Sequence, residues 1–238
     1  MKKKIPLLTV ASNKFYYLFQ DFKRRLTGCL LFLFCACSSV QENPAPAQAD
    51  TPEIKNTQEQ LHTAIREIRT GDMVTRTGND FTSYCLRQFC QTDKTYSHCG
   101  IASIENDTVY VYHALGGEFN PDQKLLREPL AVFVAPDANR GFGLYRFNMD
   151  TTQCRDLIIA AQAAYKKGIS FDMKFDLATD DKMYCSEFTA KMYRQAYKND
   201  TMFAPTRLPG LEYLAPDNLF LHADCKMVYK AVYYEYKR

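Results

Sequence analysis

The chain has 238 residues, 46% of them hydrophobic and 24% charged, a balance that excludes a disordered protein and leaves room for one good-sized domain or two small ones. The formal charge of +3 is small, and part of it comes from Lys2, Lys3, Lys4, Lys14, Lys23, Arg24 and Arg25 near the N-terminus. Nothing in the remainder forms a basic stripe, so no nucleic-acid partner is expected.

At the start of the chain, basic "FKRR" (22–25) precedes apolar "LTGCLLFLFCA" (26–36), a run too short to span a bilayer as a helix. Cys37 follows. The order basic, apolar, small, cysteine resembles a bacterial lipoprotein signal, so residues 1–37 read as a leader with lipidation at Cys37 and a lipid anchor in the membrane. The alternatives are a leader simply cut off and a single anchor helix. All of them put the folded part outside the cytoplasm, in the bacterial cell envelope or secreted. Residues 38–56, rich in Pro, Ala, Gln and Glu and without an apolar face, read as a flexible tether before a domain over 57–238. Six cysteines remain: Cys85, Cys90, Cys99, Cys154, Cys185 and Cys225. No CxxC occurs among them, so neither a disulfide framework nor a zinc knuckle is indicated, and no metal or cofactor is expected.

Leu61, Ile65 and Ile68 recur at helical spacing and predict a short helix. A strand follows in "TGDMVTRTG" (70–78), then a helix in "DFTSYCLRQFCQ" (80–91). "YSHCGIASIENDTVYVYHA" (96–114) reads as a hairpin, strands at about 97–104 and 108–114 around Asn106-Asp107. Pairing Glu105 with Thr108 sets His98 opposite Leu115 and Gly100 opposite His113. The two histidines are then diagonal neighbours on one face, roughly 7–8 Å apart at the backbone, and Gly100 leaves room for the His113 ring. "REPLAVFVAPDA" predicts a short helical or irregular segment, and 141–148 a strand. Residues 151–168 predict a capped helix ending at a glycine, 169–183 a loop, and 184–199 a helix with Phe188, Met192 and Ala196 as its apolar stripe. A turn at 216–220 and a strand over 225–236 close the chain. Strands and helices are segregated, which argues for an α+β fold over a parallel doubly wound sheet.

Cys185 follows an Asp-rich loop and falls in the first turn of its helix, where unpaired N–H groups and the helix dipole favour a thiolate. A thiolate beside an imidazole is what a cysteine nucleophile requires.

The ordered motifs "GDMV" (71–74), "YSHCGIA" (96–102), "VYVYHA" (109–114), "SFDMKFD" (170–176) and "YCSEF" (184–188) resemble the circularly permuted NlpC-like cysteine hydrolases, the YiiX/YebB-like group of papain-fold proteins. The resemblance implies a permuted papain-like fold, an antiparallel sheet packed against helices, with the nucleophile at a helix N-terminus. It implies Cys185 as nucleophile, His98 as general base and His113 as the residue orienting His98. The YiiX-like group often carries a glutamate at the last of these positions. A histidine there is more like lecithin:retinol acyltransferase relatives, so acyl transfer or thioester cleavage on lipid acyl groups stands beside hydrolysis of an amide in cell-wall peptides.

Tyr96 and Tyr184 flank the two site candidates and could supply pocket walls or an oxyanion-stabilising hydroxyl, against simple packing. Asp172 and Asp176 flank an aromatic loop and either border the substrate groove or cap turns. Structural roles are expected for Glu187 and Asp72. Two rival readings remain: an envelope module using His98, Cys99, His113 and Cys185 as zinc ligands or purely structurally, and a papain-fold binding protein without turnover. Strand alternation sends Cys99 to the face opposite His98, which counts against the zinc module. The expected form is a monomer acting on a peptide or acyl substrate.

Overall fold

The computed structural model describes residues 52–117 and 120–234. Cys37, the leader expected over 1–37 and most of the tether expected over 38–56 lie outside the described residues. The first helix, α1 (Pro52–Glu67), begins inside the stretch read as tether, with proline in the first turn, where its missing N–H costs nothing.

Strand β1 (Met73–Gly78) leads to α2 (Phe81–Arg87), capped by Asp80, whose carboxylate accepts the Ser83 N–H at 2.9 Å. Strands β2 (His98–Glu105) and β3 (Thr108–His113) form the hairpin. Asn106 and Asp107 sit at φ 48° and 61°, the two left-handed residues that a tight two-residue turn between twisted strands demands. The register runs from Glu105↔Thr108 to Ile101↔Tyr112, as the turn chemistry predicts.

The segment expected to be helical or irregular splits into a strand, β4 (Leu126–Pro129), paired with β3, and one helical turn, α3 (Leu130–Phe133). Then come β5 (Asn139–Phe147) and α4 (Thr151–Lys167), opened by an Asp150–Gln153 capping box and ended by Gly168 at φ 70°. Helix α5 (Cys185–Tyr197), a small hairpin β6 (Thr206–Leu208) and β7 (Leu211–Tyr213), α6 (Pro216–Phe220) and β8 (Cys225–Val232) complete the described chain.

The main sheet has the order β4-β3-β2-β1-β5-β8 with every neighbouring pair antiparallel, so the architecture is α+β. Alternation along the strands builds two cores. One face carries Met73, Ile101 and Tyr145 under Leu157 of α4 and Phe188 and Tyr193 of α5. The other carries Val74, Ala102, Val111 and Leu144 under Ala64 and Ile68 of α1 and Phe133 of α3. Each buried Val, Leu, Ile, Met or Phe among them removes enough apolar surface from water to favour folding by about 1.5–3 kcal/mol. Among the described residues no helix is long and apolar enough to cross a membrane.

Candidate active site

Cys185 is the first residue of α5, and the chain enters that helix through an extended Tyr184 at φ −90° and ψ 173°. Three contacts fix the entry. Glu187 Oε2 accepts the Tyr184 N–H at 3.2 Å, the Tyr184 hydroxyl accepts the Leu214 N–H at 2.8 Å, and Thr189 Oγ1 donates to the Cys185 carbonyl at 2.9 Å. The preceding loop is irregular yet anchored. Asp172 accepts the N–H groups of Lys174 at 2.8 Å and Asp176 at 2.6 Å, and Met183 N–H returns to Ser170 O at 3.0 Å.

The histidines come from the hairpin. His98 opens β2 and His113 closes β3; His98 Nε2 lies 2.9 Å from His113 Nδ1 with the rings edge to face. His113 Nε2 in turn lies 3.0 Å from Glu128 Oε2 on β4. The Phe133 ring packs against both imidazoles, with centroids 5.6 Å from His98 and 4.9 Å from His113. Gly100 permits this approach: a Cβ there would stand 2.7 Å from Tyr112 O and 2.9 Å from His113 Cβ. Arg76 lays its guanidinium 4.5 Å over the Phe133 ring and donates to Phe133 O at 2.9 Å.

Cys185 meets both the His98 imidazole and the Cys99 thiol. Its own thiol is drawn well below the usual thiol range, first by a hydrogen bond from Cys99, then by the charge and hydrogen bond of His98 and by Ser186, against the cost of burial. Cys99 is pushed the other way, chiefly by its bond to Cys185 and by burial, and stays protonated; its sulfur also lies 3.6 Å from Thr189 Oγ1. Burial lowers His98, opposed by Cys185. Burial brings His113 down to about 4, opposed by its bond to Glu128, so this ring is neutral at pH 7. Glu128 is held below the usual carboxylate range by the hydrogen bond from His113. Glu187 is pushed up to about 7 by burial, although Lys191 Nζ stands 2.9 Å from Oε1 in a charge contact without hydrogen-bond alignment.

Two imidazoles that share a metal ion both direct a lone pair at it. Here one nitrogen of each ring addresses the other ring, and the second nitrogen of His113 addresses Glu128. The arrangement therefore does not fit an ion held between the histidines. Among the described residues no group of three or more His, Cys, Asp or Glu side chains could hold a metal ion.

A cavity of about 60 Å³ opens at His98 and Cys185, walled by Phe171, Phe175, Tyr184 and Leu214. A larger one, about 560 Å³, lies apart from these residues, along α4 at Cys154, Ile158 and Ile159. Of the residues singled out from the sequence, Cys185, His98 and His113 come together, and Tyr184 lines the cavity. Tyr96 does not: its hydroxyl accepts from that of Tyr145 at 3.3 Å and its ring packs 5.3 Å from Phe220. Asp172 also stays out, its carboxylate committed to its own loop. Cys99 does face away from His98 along β2, yet it reaches Cys185 because that sulfur sits where the strand begins. Glu128 is the residue that sequence reasoning missed. Its strand is three half-exposed residues and an exposed proline, with no alternation to announce it.

A family model described as permuted papain-like amidase enzyme, YaeF/YiiX, C92 family, matches residues 67–207. The uncharacterized protein YiiX of Escherichia coli K12 is 27% identical over 128 residues, 54% of this chain and 58% of that protein, so the match spans less than two thirds of the relative's length. The crystal structure of YiiX from Escherichia coli O157:H7, described as a metalloprotein, has a TM-score of 0.57 at 19% identity and covers 70% of this chain and 99% of that one. At that identity the likeness establishes the fold alone.

Proposed function

The chain belongs to the YaeF/YiiX family of permuted papain-like amidases, and from that premise we propose that it is an exported cysteine amidase acting on cell-wall peptides or related envelope substrates. The observation that carries this reading is the continuous contact from Cys185 through His98 to His113. In the proposed reaction the Cys185 thiolate attacks the amide carbonyl while His98 holds the thiol proton. The N–H groups of the first turn of α5, which have no partner earlier in the helix, stabilise the oxyanion. The C–N bond breaks as His98 delivers its proton to the departing amine, leaving a thioester on Cys185. Water, deprotonated by His98, then releases the carboxylic acid and restores the thiol. His113 orients His98. The envelope assignment is supported by the basic-apolar-cysteine order ending at Cys37 and by nothing among the described residues.

A second reading, acyltransferase or thioesterase action on lipid acyl groups, draws support from the cavity walls at Cys185, which are aromatic and aliphatic. The two differ only in the acyl acceptor and leaving group, not in the roles of Cys185 and His98. Although the O157:H7 relative is described as a metalloprotein, the donor arrangement here gives no reason to route a step through a metal.

The deciding experiment treats the purified protein with an iodoacetamide-type probe across pH and locates the adduct by mass spectrometry. Selective labelling of Cys185 that persists well below about pH 8 is the expected result. Labelling spread over several cysteines with an ordinary thiol profile overturns the mechanism. Acyl labelling lost in Cys37→Ala tests the anchor separately.

A further inference from the structure

A neutral imidazole carries one proton between two nitrogens, so each ring donates at one and accepts at the other. Two rings in series, ended by a group that can only accept, have a single proton arrangement that satisfies every link. Glu128 is that end. An ionised carboxylate has no proton to give, so the 3.0 Å contact requires the proton on His113 Nε2. His113 Nδ1 is then bare and accepts across 2.9 Å from His98 Nε2, which must be protonated. His98 Nδ1 is left with a lone pair, and it is the ring nitrogen remaining for Cys185.

We propose that Glu128 is a positioning residue that fixes the tautomers of both histidines and thereby keeps the basic lone pair of His98 directed at Cys185.

The strand pairing builds this relay by one repeated step. His98 and His113 are diagonal neighbours across β2 and β3, and His113 and Glu128 are diagonal neighbours across β3 and β4, since His113 pairs with Leu126 and Val111 with Glu128. Water does not substitute for the carboxylate inside: His113 is fully buried and His98 is 7% exposed, whereas the Glu128 side chain is 27% exposed at the outer end. If Glu128 is lost, His113 is free to place its proton on Nδ1. That N–H then faces His98 Nε2, drives the His98 proton to Nδ1 and removes the base from the sulfur. The charged groups that face the two rings are Arg76 from β1, Cys185 from α5 and Glu128 itself; Arg76 cannot accept, so once the Cys185 thiolate is removed or protonated, Glu128 is the acceptor that sets the direction of the chain.

This inference rests on the Cys185–His98 reading, and the test separates the two. Full-length protein carrying Cys185→Ala, which removes the thiolate, is labelled with ¹⁵N in its imidazoles and its tautomers are read by long-range ¹H–¹⁵N correlation at pH 7. The expected spectrum has protonated Nε2 and bare Nδ1 for both His98 and His113. Adding Glu128→Ala is expected to move both rings toward the opposite tautomer, while Glu128→Gln, whose amide oxygen still accepts, keeps them. In the parent background, iodoacetamide alkylation of Cys185 near neutral pH is expected to slow about 10–100-fold in Glu128→Ala and less in Glu128→Gln, with thermal melting verifying the fold. Unchanged tautomers and an unchanged alkylation profile in folded Glu128→Ala, or tautomers reversed in folded Glu128→Gln, overturn the role of Glu128 alone. A parent in which Cys185 shows an ordinary thiol profile overturns the underlying site reading instead.

Discussion

The two faces of the main sheet hold the two halves of the site differently. Cys185 stands on the larger core, at the end of a helix packed by Phe188, Tyr193 and Leu157. The histidines stand on the smaller one, where a single ring, Phe133, supports both. A nucleophile set in dense packing is rigid by default. An imidazole pair with one aromatic support needs its own hydrogen bonds to stay oriented, which is why the chain His98–His113–Glu128 matters more than any single contact in it.

The strongest test of that contrast is removal of each half. Cys185→Ala is expected to abolish covalent adducts altogether, since no neighbouring group replaces the sulfur, and His98→Ala to slow turnover of an activated ester by about 10²–10⁴-fold. If His98→Ala retains parental turnover, the two faces do not cooperate in catalysis. Next, Leu157→Ala on the larger core should cost about 2–5 kcal/mol and Phe133→Ala on the smaller one about 3–5 kcal/mol by denaturant melting. Only Phe133→Ala should also slow alkylation of the folded protein. Equal alkylation in the two variants removes the distinction between the faces.

Glu187 gives a pH test of the larger core. Its carboxyl rises from the ordinary 4.5 to about 7 in the folded state, so the folded protein binds the proton more tightly than the unfolded chain. This contribution to stability is complete below pH 4.5 and is lost as the pH rises through 7, a difference on the order of 3 kcal/mol. Glu187→Gln should therefore flatten that slope, melting higher than the parent at pH 8 and much the same at pH 4; a parallel pair of profiles refutes it.

Smaller effects come from the hydrogen bonds themselves. His113→Glu sets two carboxylates side by side, one of which must take a proton, so it should orient His98 less well than His113→Gln; adding Glu128→Gln to His113→Glu should recover the difference in alkylation rate. Cys99→Ala removes the S–H donor to Cys185 and should move the labelling profile to higher pH while the melt barely changes. A profile that stays in place would show that His98 alone sustains the thiolate.

What could be read from the sequence followed from local rules. A two-residue Asn-Asp turn determined the hairpin register and so put His98 and His113 on one face, and a polar loop before an apolar helical stripe located Cys185 at a helix start. The helix expected from Leu61, Ile65 and Ile68 starts earlier than read, at Pro52, because its first turn shares the Pro- and Glu-rich composition of the segment before it. Glu128 could not be found locally, since β4 gains its identity only by pairing with β3. Tyr96 looked promising from its place near His98 and Asp172 from its place beside an aromatic loop, but the Tyr96 ring is spent on packing and the Asp172 carboxylate on its own loop. Alternation was right about the direction of Cys99 and silent about where the neighbouring helix begins.

The order in which the elements occur along the chain also sets a schedule. Synthesis runs at about 5–20 residues per second, so Cys185 emerges several seconds after the hairpin and β4 are already available to pair. During that interval the histidine relay can assemble with nothing to activate. In the proposed mechanism the Cys185 sulfur joins it only when α5 docks against β2, so a partly folded chain would carry an ordinary thiol and be spared acylation until its fold is nearly complete.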